Sequence, residues 1–173
     1  MTKKEFSMFA MALKTYYPQE NLLPNEQAMI LWFNQLSDIP YNVAETALNK
    51  WVAVNKWSPR ISEIRETAWN IIHSEVLPWG EAWEQVLRAV QKYGYYRERE
   101  AMATFPELTR RAVKNLGFQN ICLSENIATE RANFRMIYEQ LAERTQQTEV
   151  LPDTLKTAIG QLRQENHLLE SHD

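Results

Sequence analysis

Apolar residues recur along this chain every three or four positions, the spacing of helices that bury one face. Phe6, Phe9, Ala10, Leu13 and Tyr17 form the first such stripe. Thr2 and Glu5 precede it in the order of a capping box, which predicts a helix start at Thr2. Asn25 is placed to cap a second helix, with Met29, Trp32, Phe33 and Leu36 on its stripe. Asp38 and Pro40 are expected to open a third, carrying Ala44, Ala47, Leu48, Trp51 and Val54 on one side. The Ser58-Pro59 turn leads into a fourth, with Ile61, Ile64, Ala68, Ile71 and Ile72. Four amphipathic helices joined by short loops can close a small bundle, predicted here over residues 1–74.

Pro78 and Gly80 mark residues 73–80 as a hinge, and a second helical unit is expected over 79–144. Its first helix carries Trp83, Val86, Leu87 and Val90 and stops at Gly94. Thr104 and Glu107 suggest another capping box, for a helix ending at Leu116-Gly117. Ser124 is expected to cap a longer helix bearing Ile127, Phe134, Ile137, Tyr138 and Leu141. Residues Glu143–Glu149 are wholly polar and read as a linker. After Pro152, Asp153 can cap a tail helix over 150–173, with Leu155, Ala158, Ile159, Leu162 and Leu169 on a narrow face that Asn166 interrupts. No strand-like alternation stands out. The expected fold is all-α: an N-terminal four-helix bundle, a second small helical unit and an amphipathic C-terminal helix.

Composition narrows the function. A hydrophobic content of 45%, with six tryptophans, supplies a core and excludes global disorder. The net charge of −3 argues against a chain that coats nucleic acid with its whole surface. Residues 145–173 alone carry −3, which suits a basic protein groove better than DNA or anionic lipid. The single cysteine, Cys122, allows no internal disulfide and reads as a small buried hydrophobe in a reducing compartment. No signal-peptide pattern comes after Met1, and no stretch approaches the roughly 20 apolar residues of a membrane span, so a cytoplasmic location is expected.

Candidate chemistry is sparse. No Gly-Lys-Ser/Thr occurs and the four glycines are isolated, so a phosphate-cradling loop is not expected. His73, His167 and His172 lack partners at metal-ligand spacing. No catalytic residue, cofactor or metal is therefore assigned, and a non-enzyme is expected. Trp32, Trp51 and Trp83 sit on predicted core faces with Trp69 close to one, whereas Trp57 and Trp79 lie near loops, where tryptophan either seals a bundle or anchors a partner. One region is basic: Arg88, Lys92, Arg97, Arg99, Arg110, Arg111 and Lys114, interleaved with Tyr93, Tyr95 and Tyr96. Such a region can hold a nucleic-acid strand by phosphate contacts and stacking. The patch is short and the whole chain acidic, however, which favours a solvated helix face with ion pairs inside Arg97-Glu98-Arg99-Glu100.

The first 75 residues resemble the phage replicative helicase loader/inhibitor family. The features that carry the resemblance are Phe6, the Trp32 helix, the step Asp38-Ile39-Pro40-Tyr41, the set Ala44, Ala47, Leu48 and Trp51, and the turn from Trp57 to Ile64. Trp79-Gly80-Glu81-Ala82-Trp83, Lys92-Tyr93-Gly94-Tyr95 and Phe134 to Leu141 are similar to the region C-terminal to this domain in phage replication proteins. The resemblance implies a non-enzymatic adaptor in a bacterial host. Such proteins bind a hexameric replicative helicase, keep it inactive, and bring it to an origin marked by an initiator. The family's helicase contact lies in its C-terminal part, which here points to Leu155, Ile159, Leu162 and Leu169. The N-terminal domain would then face the initiator. The ordered second unit departs from a minimal member and is an alternative place for the helicase contact. The competing function is a DNA-binding replication accessory that uses the basic region 86–118.

Overall fold

The computed structural model describes residues 1–73 and 76–170, with side-chain surroundings given through residue 165. Among the described residues there are ten α-helices and one 3₁₀ turn, and no strand. The chain divides into two compact units. One joins Met1–Ser74 to Thr148–Asp173, and the other is Glu75–Gln147.

The first unit contains α1 (Lys3–Tyr16), α2 (Glu26–Leu36), α3 (Tyr41–Val54) and α4 (Ile61–Ile72). Their stripes meet in one core built on Phe6, Phe9, Leu13, Leu36, Leu48 and Ile64. The Thr2–Glu5 capping box forms as expected, and Asn25 caps α2 by accepting from the Ala28 amide at 2.9 Å. The start of α3 differs. Pro40 is its N-cap and no side chain caps it, because Asp38 turns instead to Arg65 of α4. At α4 the boundary residue is Arg60, whose amide donates to Glu63 at 2.7 Å. Trp32 and Trp51 are half-buried at the margin of the unit rather than inside its core, and Val54 and Ile72 face outward.

The second unit contains α5 (Trp79–Tyr93), the 3₁₀ turn Tyr95–Arg97, α6 (Glu98–Ala103), α7 (Glu107–Leu116) and α8 (Phe118–Leu123). It also holds most of α9 (Ile127–Glu149). Trp83, Val86, Phe105, Val113, Phe118, Phe134 and Tyr138 form its core. Gly94 and Gly117 end α5 and α7 with φ of 63° and 85°, a region open to glycine and costly for other residues. Thr104 does not cap α7. Its hydroxyl donates back to Ala101 O at 2.6 Å, and Pro106 stands at the N-cap. Asn126, rather than Ser124, receives the Thr129 amide at the start of α9. Ser124 Oγ accepts from the Asn126 amide and donates to Glu130 instead.

The polar stretch Glu143–Glu149 is helical, not a linker. Its glutamates, arginine and glutamines are good helix formers, and Leu141 is buried just before the stretch begins. The chain breaks at Leu151-Pro152 and resumes as α10 (Asp153–Glu170). The tail groups with the N-terminal unit rather than standing as a unit of its own.

Candidate functional site

The root of α10 is held by a buried cation. Arg65 is only 6% exposed, and a guanidinium so placed needs partners on every side. Its two Nη atoms donate to the two Asp38 carboxylate oxygens, each at 2.7 Å, in a bidentate pair. Nη1 also reaches Gln35 O at 2.6 Å, and Nε donates to Val150 O. Arg65 therefore ties the end of α2, the step before α3 and the turn before α10 to α4. Burial pushes the Asp38 carboxyl up, but the hydrogen bonds and charge of Arg65, with the Asp153 amide, hold it net below the ordinary carboxylate range.

A second contact lies beside it. Glu149 Oε2 receives the Trp69 indole N–H at 3.3 Å and sits 3.3 Å from His73 Nε2. The Trp69 and His73 rings stack with centroids 4.5 Å apart, and His73 Nδ1 lies 3.0 Å from Trp69 O. Pro152 is buried, so the turn into α10 is packed as well as hydrogen-bonded.

Beyond this root the apolar stripe of α10 is uncovered. Leu155 and Leu162 are 41% and 59% exposed, and Ile159 is half-buried. Leu169 belongs to α10, but its side chain lies outside the described residues. The sequence-predicted anchors thus lie on one helix whose start is fixed and on which, among the described side chains, Leu155 and Leu162 stand largely in solvent.

The basic region is less uniform than its sequence suggests. Arg110 donates to Met102 O at 3.1 Å and Phe105 O at 2.9 Å, and pairs with Glu107 at 3.2 Å, so it closes the end of α6. Arg97 donates to Tyr93 O and Lys92 O at the end of α5, with its guanidinium 5.5 Å from the Tyr93 ring centroid. Lys92 lies over the same ring at 5.1 Å, and Arg88 pairs loosely with Glu84 at 3.8 Å. Arg99, Arg111 and Lys114 point outward. Cys122 is half-buried, and burial, with the nearby Glu98, raises its thiol above the ordinary value.

Sequence reasoning missed the Arg65 clamp, although a signal was present. Arg65 follows Ile64 and lies four residues after Ile61, at the edge of the apolar stripe of α4. A charge at a core margin demands an opposite charge nearby, and the closeness of Asp38 to Pro40 favours a helix opener there instead.

Residues 1–65 match the family model for the N-terminal domain of a phage helicase inhibitor/loader. Helices α1 to the start of α4 are thus similar to the N-terminal domain of that family. The matched stretch ends on Arg65, so both members of the Asp38–Arg65 pair belong to the loader/inhibitor domain, while Glu149 and Val150 come from outside it. No curated protein and no solved structure matches the chain.

Proposed function

We propose that this protein is a non-enzymatic adaptor that binds the hexameric replicative helicase, restrains it, and delivers it to a phage replication origin. The observation that carries the reading is an amphipathic helix with an uncovered apolar stripe, rooted on a loader/inhibitor domain. Leu155, Ile159 and Leu162 then act as the i, i+4, i+7 anchors of a helix laid into a helicase groove, with Leu169 continuing the stripe further along α10. The acidic balance of the tail directs it to a basic groove. The loader/inhibitor domain is free to face an origin-bound initiator. Its α1–α2 surface offers adaptable side chains for that contact, with Met8 and Met11 exposed and Met29 across a shallow groove from Met11.

The test is gel filtration of the full chain with the replicative helicase, coupled to the helicase's ATPase rate. The wild-type chain should co-elute and slow hydrolysis. Leu155→Ala with Leu162→Ala should do neither while keeping the wild-type melting temperature. Co-elution that survives the double variant would remove the tail from the interface and direct the search to the second unit.

A further inference from the structure

The tryptophan motif at the start of α5 plays no part in the clamp or the tail. Within the second unit, α5 and the first half of α9 leave a groove of about 720 Å³ on the surface, a volume in the range that binding sites occupy. Trp79, Trp83 and Leu87 line one wall, and Ile127, 40% exposed, lies on the other. Gly80 and Ala132 keep the groove open, and a methyl group at Gly80 would meet nothing. The rim carries Arg131 and Arg135 on α9 and Glu84 on α5, the last turned to Arg88 at 3.8 Å. The Arg131 and Arg135 guanidinium carbons lie 5.3 and 5.0 Å from the Trp79 ring centroid. Arg135 pairs with Glu139 on its own helix, an exposed pair that a stronger carboxylate can exchange. Arg131 makes no ion pair among the described residues.

We propose that this groove is a second docking surface, for an acidic amphipathic helix of a partner protein. The walls are apolar side chains that take leucine or phenylalanine anchors spaced by one helical turn. The two guanidinium groups, fixed over Trp79, meet carboxylates on the flank of the incoming helix and set its direction. A nucleic-acid strand fits less well, since it requires a track of phosphate contacts and the rim supplies two cations beside a mostly apolar trough. The surface is independent of α10 and stands or falls separately from the tail contact.

The full chain is titrated into a fluorescein-labelled designed helix with leucines at i, i+4 and i+7 flanked by glutamates, read by anisotropy. The acidic helix should bind at least about tenfold more tightly than its lysine-for-glutamate counterpart, and Arg131→Glu with Arg135→Glu should erase that preference. Ala132→Trp, at an exposed position, should fill the groove and abolish binding without shifting the melting temperature, and Leu155→Ala with Leu162→Ala should leave binding intact. Absence of binding, equal binding of the lysine helix, or binding that persists in Ala132→Trp overturns the proposal. So does tighter binding of oligo-dT, which makes the groove a nucleic-acid site. Tighter binding of the chain's own Asp153–Glu170 peptide also overturns it, since the occupant is then a second copy.

Discussion

Arg65 shows how much one side chain decides in this protein. Removing either partner of a buried ion pair leaves an uncompensated charge, which typically costs about 3–5 kcal/mol. Arg65→Met should lower the unfolding free energy from urea titration by that order, and Arg65→Met with Asp38→Leu should recover much of it. A single variant of wild-type stability would show the clamp to be idle. The depressed Asp38 carboxyl gives a pH dependence of fixed sign. In the unfolded chain it titrates near its ordinary value of 3.8 and in the folded chain lower. Its contribution is therefore complete above the unfolded value and is lost as pH falls through the folded one. Urea midpoints followed down into that acid range should fall less steeply for the Arg65→Met, Asp38→Leu chain than for the wild type. Gly117 is a second decisive residue. A Cβ there would meet Asn120 Nδ2 at 2.7 Å on a backbone with φ of 85°, so Gly117→Ala should destabilise the chain by about 1–2 kcal/mol in denaturant unfolding.

Elements are set partly by their own residues and partly by what they pack on. Glu143–Glu149 has no apolar stripe, yet it continues α9 in register from the buried Phe134, Tyr138 and Leu141. Amide hydrogen exchange across 143–149 should therefore be slowed relative to a free peptide. Exchange at peptide rates would restore a linker there. In α10 the order is reversed: the helix is rooted by contacts at its start, while Leu155 and Leu162 on its apolar face are exposed, the face proposed above for the helicase. Burying a leucine contributes about 1.5–3 kcal/mol, so Leu155→Ala with Leu162→Ala should weaken the helicase complex about a hundredfold or more by titration calorimetry.

At the scale of the molecule, the two proposed docking surfaces divide between two units with separate cores. The turn before α10 is tied to the N-terminal unit by Arg65 on Val150 O and by the buried Pro152, so truncation at residue 150 removes structure as well as the proposed docking helix. Deleting 150–173 should thus lower the melting temperature of the N-terminal unit, whereas the leucine double variant should not. The basic stretch of the second unit has two of its arginines, Arg97 and Arg110, engaged on backbone carbonyls. Gel shifts with single-stranded DNA at low salt should give no complex. A shift that Arg111→Ala and Lys114→Ala weaken, with a salt slope shallower by about 0.7 per lost contact, would establish the DNA-binding function instead.

Local physics wrote the helices into the sequence. A stripe at 3.6-residue spacing, a capping box at Thr2 and Glu5, and glycines where the backbone turns left-handed act within a few residues of one another, so the all-α fold and most helix positions could be read directly. The loader/inhibitor domain was legible for the same reason: its marks are packing residues within one short stretch. What the sequence could not decide are pairings across long separations. Asp38 had two possible tasks, capping α3 locally or neutralising Arg65 27 residues away, and only folding brings the guanidinium within 2.7 Å. Trp79 and Arg131 lie far apart in the chain, and no local pattern indicates that α5 and α9 leave a groove between them. The root of the tail was hidden likewise, because Val150 carries no polar side chain and joins the clamp through its carbonyl, a group that every residue has.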